Sequence, residues 1–222
     1  MTLAPKLGFA LAALSLLGLA ASRPAAADTT IPVVNGQFQD PATVGGFLQF
    51  GVPGFTLSGS GNGGVLNGSE ASNPDPQKRY AYTQNLTTLS QILSANFMPG
   101  SVYTLSAYSG QEGTFKAPPA LFGFMDGTTG AILTSNSFTQ TAEGYTQRQS
   151  VYTPINSDPI EIYFKDLAVA GSGADVLRVA DVTVSAAAPV PEASSFVSLG
   201  LLLLLGAGGI AVSRKRKAGA TG

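Results

Sequence analysis

The carboxylates are the main candidates for chemistry in this sequence of 222 residues. The chain has no histidine and no cysteine, which removes the usual general base, the thiolate nucleophile and the Ser-His-Asp arrangement. A glycoside hydrolase needs only a pair of carboxylates, but no local pattern singles out two of the twelve acids between residues 28 and 189. We therefore expect a protein that is not an enzyme, with glycoside hydrolysis as a third-ranked alternative.

Tyrosines are the second candidate, because an aromatic ring offers a sugar a flat apolar surface with a polar group at its end. The chain has no tryptophan, so a platform would rest on tyrosine, with arginine and asparagine as hydrogen-bonding partners. The candidate sugar-binding residues are Arg79, Tyr80, Tyr82, Asn85 and Tyr108. The alternative is that these tyrosines are half-buried residues of a sheet.

The charge of the chain between its two apolar ends excludes one class of partner. Residues 28–189 carry twelve acidic and six basic side chains, which gives a net charge of −6. A nucleic-acid-binding surface needs basic side chains to neutralise phosphates, so we expect no nucleic acid partner.

Short apolar or alternating runs, separated by Gly, Pro, Asn and Ser, must position these residues. The clearest run alternates Tyr103, Leu105 and Ala107 with more polar neighbours, as in a half-buried strand. In the last run, Val176 to Val184, the apolar spacing shifts after Val179 and predicts a bulge near Ala180. Asn35-Gly36 predicts a turn or bulge near the start. About ten such runs and no long helix predict an all-β fold, a single antiparallel β-sandwich over residues 28–185.

The first 27 residues have the features of a secretory signal peptide. Lys6 precedes an apolar run over residues 7–21, and Ala25-Ala26-Ala27 offers a small-residue cleavage site before Asp28. We expect a signal helix that signal peptidase removes, which leaves a mature chain that begins near Asp28.

The other end of the chain predicts a membrane anchor. A linker over residues 186–195 leads into residues 196–213, which are uncharged and include five consecutive leucines. Eighteen such residues in a helix span roughly 27 Å, close to the thickness of the hydrocarbon core. The tail over residues 214–222 begins with Arg214, Lys215, Arg216 and Lys217, and four cations predict that it stays in the cytoplasm. The body of the protein then lies outside the cytoplasmic membrane.

The order of Val190, Pro191 and Glu192, then the apolar helix, then the basic cluster resembles the PEP-CTERM sorting signal of Gram-negative bacteria. Ala193 stands where that family usually has a second proline. The resemblance covers residues 190–217 and implies recognition by an exosortase, a membrane-embedded cysteine transpeptidase thought to cut near Pro-Glu. An ordinary membrane anchor is the alternative.

Several phrases of the body resemble a second family, the galactose-binding-like jelly roll of carbohydrate-binding modules. They are Asn35-Gly36-x-Phe38, Pro53-Gly54-Phe55, Tyr80-x-Tyr82, residues 99–106 and Asp181-Val182-Thr183-Val184. This resemblance implies a structural Ca²⁺ where the first and last strands meet. Its ligands would include Asp181, Gln39 in place of the usual acid, and the adjacent Asp40, since Ca²⁺ takes oxygen ligands.

These observations together predict an exported, non-catalytic protein of the cell surface or extracellular matrix. It is expected to be anchored in the membrane, or processed to the surface or the medium. The main alternative is a carbohydrate-binding module for exopolysaccharide.

Overall fold

The structure is a computed structural model that describes residues 28–40, 47–48, 51–68, 71–111, 117–140, 143–169 and 176–187. The described residues form twelve β-strands and no helix. The strands are β1 (Thr29–Ile31), β2 (Phe47–Leu48), β3 (Thr56–Ser58), β4 (Gly63–Asn67), β5 (Arg79–Thr83), β6 (Thr88–Ile92), β7 (Val102–Gln111), β8 (Ala120–Asp126), β9 (Ile132–Phe138), β10 (Gly144–Tyr152), β11 (Ile160–Asp166) and β12 (Leu177–Ala187). No helix within these ranges is long and apolar enough to cross a membrane.

The strands pair in two antiparallel sheets. The seven-stranded sheet has the order β10-β7-β12-β5-β4-β2, and β1 also pairs with β12. The five-stranded sheet has the order β3-β6-β11-β8-β9. The prediction of an all-β antiparallel sandwich is confirmed for the described residues. The predicted signal helix (1–27), membrane helix (196–213) and basic tail (214–222) lie outside them.

The core lies between the sheets and follows the predicted alternation. Tyr103, Leu105 and Ala107 of β7 are buried in the same apolar cluster as Ile162 and Phe164 of β11. β-branched and aromatic side chains suit such a pleated, half-buried surface. The strand β12 supplies Leu177 and Val179, then Val182 and Val184, to this core.

The change of spacing in β12 is the bulge that the sequence predicts. The register with β7 shifts between Ala180 and Thr183, and Asp181 between them has a left-handed φ of 48°. Before the bulge in the chain, β12 pairs with β5, and after the bulge it pairs with β1. The bulge is therefore the point where the last strand changes neighbours.

The first and last strands end side by side. Thr29 is opposite Ala186, and Ile31 is opposite Val184. Strand β12 continues through Ala187, two residues beyond the predicted end of the domain at 185. Because the pair is antiparallel, the chain enters the sandwich and leaves it at the same end.

Candidate functional site

The outer face of the seven-stranded sheet carries the three tyrosines predicted to bind sugar. Tyr80 and Tyr82 point away from the core, on the side opposite Ala81, and form a second apolar cluster with Tyr145. Tyr108 packs against the same cluster. Thus three of the predicted sugar-binding residues, Tyr80, Tyr82 and Tyr108, lie on one face.

Two further residues belong to this tyrosine face, and the sequence reasoning missed them. Arg178 lies opposite Tyr82 on one side and Gly110 on the other, with its guanidinium carbon 5.5 Å from the centre of the Tyr80 ring. Tyr145 lies over Gly110, where an added Cβ would come within 2.6 Å of the Tyr145 ring. The signal in the sequence is an arginine within an otherwise apolar strand, whereas its cation–π contact with Tyr80 follows from strand order.

The tyrosine face is covered by the protein's own β4–β5 loop, described over residues 71–78. Ser72 Oγ of this loop accepts a hydrogen bond from the backbone N–H of Tyr145 at 2.7 Å. Tyr145 is on β10, three strands away from β5 in the sheet order, or about 14 Å at the usual strand spacing. The loop therefore crosses the outer face, and Tyr80 and Tyr82 are only 5% and 4% exposed.

Short polar contacts fix the base of the β4–β5 loop. Asp75 Oδ1 accepts hydrogen bonds from the backbone N–H of Gln77 at 2.7 Å and of Arg79 at 3.2 Å. Lys78 Nζ donates to the backbone oxygen of Asn73 at 2.7 Å. The loop is thus held both at its base and, through Ser72, at its far side.

Burial also affects the ionisation of the tyrosine face. Burial raises the pKa of the Tyr82 hydroxyl, and the neighbouring Tyr80 raises it further. The Tyr82 hydroxyl is therefore a neutral phenol at neutral pH and can donate a hydrogen bond.

The other two predicted sugar-binding residues lie elsewhere. Arg79 is buried on the opposite side of β5, and its Nη1 donates to the backbone oxygen of Gln39 at 2.6 Å. Asn85 is in the turn after β5, beyond the opposite end of that strand, where its backbone oxygen accepts a hydrogen bond from Ser60. The structure therefore does not bring Arg79 or Asn85 to the tyrosines.

A cleft of about 440 Å³ lies where the first segment meets the bulge of β12. Gln39 and Asp181, two of the three predicted calcium ligands, are among the residues that line it. The third, Asp40, exchanges backbone hydrogen bonds with the side chain of Asn35. The volume lies within the range of small-ligand sites.

The side chains of this cleft are a poor match for Ca²⁺ on their own. Asp181 supplies one carboxylate, and the Gln39 amide nitrogen donates to Gln37 O and Asp75 Oδ2. Calcium takes six to eight oxygen ligands, so most would have to be backbone carbonyls or water. Across the described parts of the chain, no group of three or more Asp, Glu, His or Cys side chains could hold a metal.

A second cavity is lined by residues that include Asp126 and Asp158. Its volume is about 80 Å³, well below that of ordinary small-molecule sites. The backbone N–H groups of Thr129 and Thr128 donate to Asp126 and lower the pKa of its carboxyl group. A catalytic acid in a glycosidase needs a raised pKa, so Asp126 does not suit that role.

The predicted sorting motif Val190, Pro191 and Glu192 and the basic cluster Arg214, Lys215, Arg216 and Lys217 lie outside the described residues. Their roles stay predictions from the sequence.

Comparisons with known proteins identify the fold. No protein-family model and no curated protein matches this sequence. Among solved structures, the chain is similar to the Stig cyclase FisC from Fischerella sp. TAU in complex with (3Z)-3-(1-methyl-2-pyrrolidinylidene)-3H-indole. The TM-score is 0.61 at 18% identity, over 74% of this chain and 100% of that one.

Two other solved structures are more distant. An arabinose-bound α-L-arabinofuranosidase, MgGH51, aligns with a TM-score of 0.50 at 11% identity, over 71% of this chain and 26% of that one. The module TmCBM61 in complex with β-1,4-galactotriose aligns with a TM-score of 0.45 at 15% identity, over 68% and 91% of the two chains. The two sheets and the similarity to FisC support the jelly-roll β-sandwich that the resemblance implied, and at 18% identity the fold is all that this similarity establishes.

Proposed function

We propose that this protein is an exported, non-catalytic β-sandwich of the cell surface or extracellular matrix. In this proposal, signal peptidase removes residues 1–27, the C-terminal apolar helix anchors the chain, and an exosortase recognises Val190-Pro191-Glu192. The observation that carries the proposal is the order of Pro191-Glu192, an uncharged run of eighteen residues and Arg214 to Lys217. The first cation follows the apolar run directly, as a stop-transfer signal requires.

The arrangement of the terminal strands supports this topology. Thr29 of β1 is opposite Ala186 of β12, so the predicted signal peptidase site and the linker to the predicted anchor leave the same end of the sandwich. A domain that is tethered at both ends to one membrane during export needs this arrangement. Otherwise one connection would have to run along the whole length of the domain.

The chemistry of the described residues supports a non-catalytic role. The chain has no histidine or cysteine, and the cavity between Asp126 and Asp158 is too small for a sugar ring. The cluster of Tyr80, Tyr82 and Arg178 is covered by the β4–β5 loop. The Asp126–Asp158 cavity is therefore small and the tyrosine cluster is covered, and the larger cleft at the β12 bulge is lined by one carboxylate, Asp181, where glycoside hydrolysis needs two.

Substitution of the sorting motif tests the proposal in the native host. A variant with Pro191→Ala and Glu192→Ala should accumulate in the cytoplasmic membrane at full length, whereas the wild-type protein should reach the surface or the medium. A control with Ser194→Ala, two residues further along, should behave like the wild type. Equal distribution of all three proteins would overturn the sorting claim.

A carbohydrate-binding module is the second candidate, and one exposed surface favours it. At the edge of the tyrosine cluster, Tyr108 is half-buried and lies opposite Gln147. On the same pair of strands, Gln149 lies opposite Ser106 and donates a hydrogen bond to its hydroxyl group at 3.2 Å. Gln147 and Gln149 are exposed. One aromatic ring flanked by amides and hydroxyls can pack on a sugar ring and hydrogen-bond to its hydroxyl groups.

Affinity electrophoresis tests this second candidate, with purified exopolysaccharide of the host strain in the gel. If the surface binds, Tyr108→Ala should abolish the retardation of the wild-type protein. Ser137→Ala, exposed on a strand of the other sheet, should leave it unchanged. Mobility that does not depend on polysaccharide for any of the proteins would exclude binding of this polymer.

A further inference from the structure

Exposed apolar side chains are concentrated at one end of the sandwich. Of the nine large apolar side chains that are exposed in the described residues, six lie at the end where the chain enters and leaves. They are Ile92, Met98, Val102, Ile132, Val151 and Ile155. Scattered surface apolar residues are ordinary, but a concentration at one end of the domain marks a contact surface.

Two loops at this end of the sandwich carry the most exposed of these side chains, Met98 and Ile155. The backbone N–H of Gly100, in the β6–β7 loop, donates to the oxygen of Pro154, in the β10–β11 loop, at 3.0 Å. This bond joins the loop of Met98, which is 59% exposed, to the loop of Ile155, which is 89% exposed. With Val102 and Val151 on the adjoining strands, they form what we call the apolar tip: Met98, Val102, Val151 and Ile155.

The chain departs beside the apolar tip. The last residue of β12, Ala187, lies directly opposite Val102. Eight residues, 188–195, separate it from the predicted membrane helix, and they span about 28 Å at full extension. A tether this short keeps the tip at a high effective concentration near the membrane, so a modest apolar contact suffices to hold it there.

We propose that the apolar tip rests on the lipid bilayer in which the predicted C-terminal helix is anchored. The inference rests on the proposed function, because it needs that anchor. Met98 and Ile155 enter the boundary between headgroups and acyl chains, as exposed apolar side chains of interfacial proteins do. The opposite end, with the β3–β4 loop and Ser60, then points away from the membrane, about 30 Å along the strands.

Charge decides which lipid the tip prefers. The loops and strand ends described at this end include the carboxylates of Asp28, Asp126 and Asp158 and no lysine or arginine. Anionic lipids attract cations and repel carboxylates. The contact is therefore apolar, with uncharged lipid, and anionic lipid weakens it.

Site-specific fluorescence quenching tests the proposal on the full chain reconstituted in vesicles. Because the chain has no cysteine, Ser157→Cys at the tip and Ser60→Cys at the opposite end can each carry one environment-sensitive fluorophore. In phosphatidylcholine vesicles with a nitroxide lipid, quenching should be severalfold stronger at residue 157 than at residue 60. Phosphatidylglycerol should reduce the difference.

A second variant distinguishes contact of the apolar tip with lipid from attachment through the C-terminal anchor. Met98→Ser together with Ile155→Asn should lower quenching at residue 157 to the level at residue 60, while the chain still floats with the vesicles. Equal quenching at both positions in a chain that floats would overturn the tip contact and leave the anchor intact. A chain that does not float with vesicles would overturn both the anchor and the tip.

Discussion

Replacement of Gly36 by alanine should destabilise the sandwich, because this residue seats the first segment on the bulge of β12. The backbone oxygen of Gly36 accepts a hydrogen bond from Val182 N at 2.9 Å. A Cβ at this position would lie 2.4 Å from Val182 O and 3.2 Å from Val33 Cγ1. The nearer atom belongs to the backbone of a central strand and cannot rotate away, so the segment itself must move.

The cost follows from two effects. Overpacking of a tight contact costs about 1–3 kcal/mol, and weakening of the Gly36–Val182 hydrogen bond costs about 1 kcal/mol. We therefore expect a loss of about 2–4 kcal/mol in the free energy of unfolding. Because a domain of this size is typically stable by about 5–15 kcal/mol, the variant should still fold.

Urea denaturation of a fragment over residues 28–187 measures the loss directly. Gly100→Ala is the control, because Gly100 has a φ of 80° with nothing within 4 Å of the added Cβ. That change costs only the left-handed backbone strain, about 1–2 kcal/mol. If Gly36→Ala were no more destabilising than Gly100→Ala, the first segment would not sit against the β12 bulge.

Three further variants probe the core and the titratable groups. Leu105→Ala, at a fully buried position, should lower the free energy of unfolding by about 2–5 kcal/mol, measured by urea denaturation. Hydrogen bonds from Thr129 and Thr128 lower the pKa of Asp126. The wild type should therefore be more stable than Asp126→Asn above about pH 4, and this difference should disappear as the pH falls through the lowered pKa. Burial raises the pKa of Tyr163, so this tyrosine contributes stability below about pH 10 that is lost at higher pH, and Tyr163→Phe should show a smaller alkaline loss.

The fold was predictable because its signals are local. The alternation of Tyr103, Leu105 and Ala107 is imposed by the pleat of one strand, and the shift near Ala180 follows from the same rule. In residues 86–93 the spacing of Leu86, Leu89 and Leu93 fits a helical turn as well as a strand, and the stretch contains the strand Thr88–Ile92. Pairing with β3 and β11 makes this stretch a strand, and such long-range pairing cannot be seen in the local sequence pattern.

The candidate site was only partly predictable for the same reason. The spacing of Tyr80 and Tyr82 places both side chains on one face of their strand. Whether a tyrosine from another strand lies beside them depends on the strand order of the sheet. Tyr145 reaches the cluster because β10, β7 and β12 are neighbours. The loop that covers it is joined to β10 by a hydrogen bond between Ser72 and Tyr145, 73 residues apart. A loop rich in Asn, Pro and Asp predicts a turn, but not the surface on which that turn lies.

Sorting by the exosortase can be tested by the intact mass of the mature protein from its native host, with and without that enzyme. We expect a chain that begins near Asp28 and ends close to Pro191, and only where the exosortase is present. A chain that retains residues 201–217 in both strains would contradict the sorting claim and leave a β-sandwich on an ordinary membrane anchor.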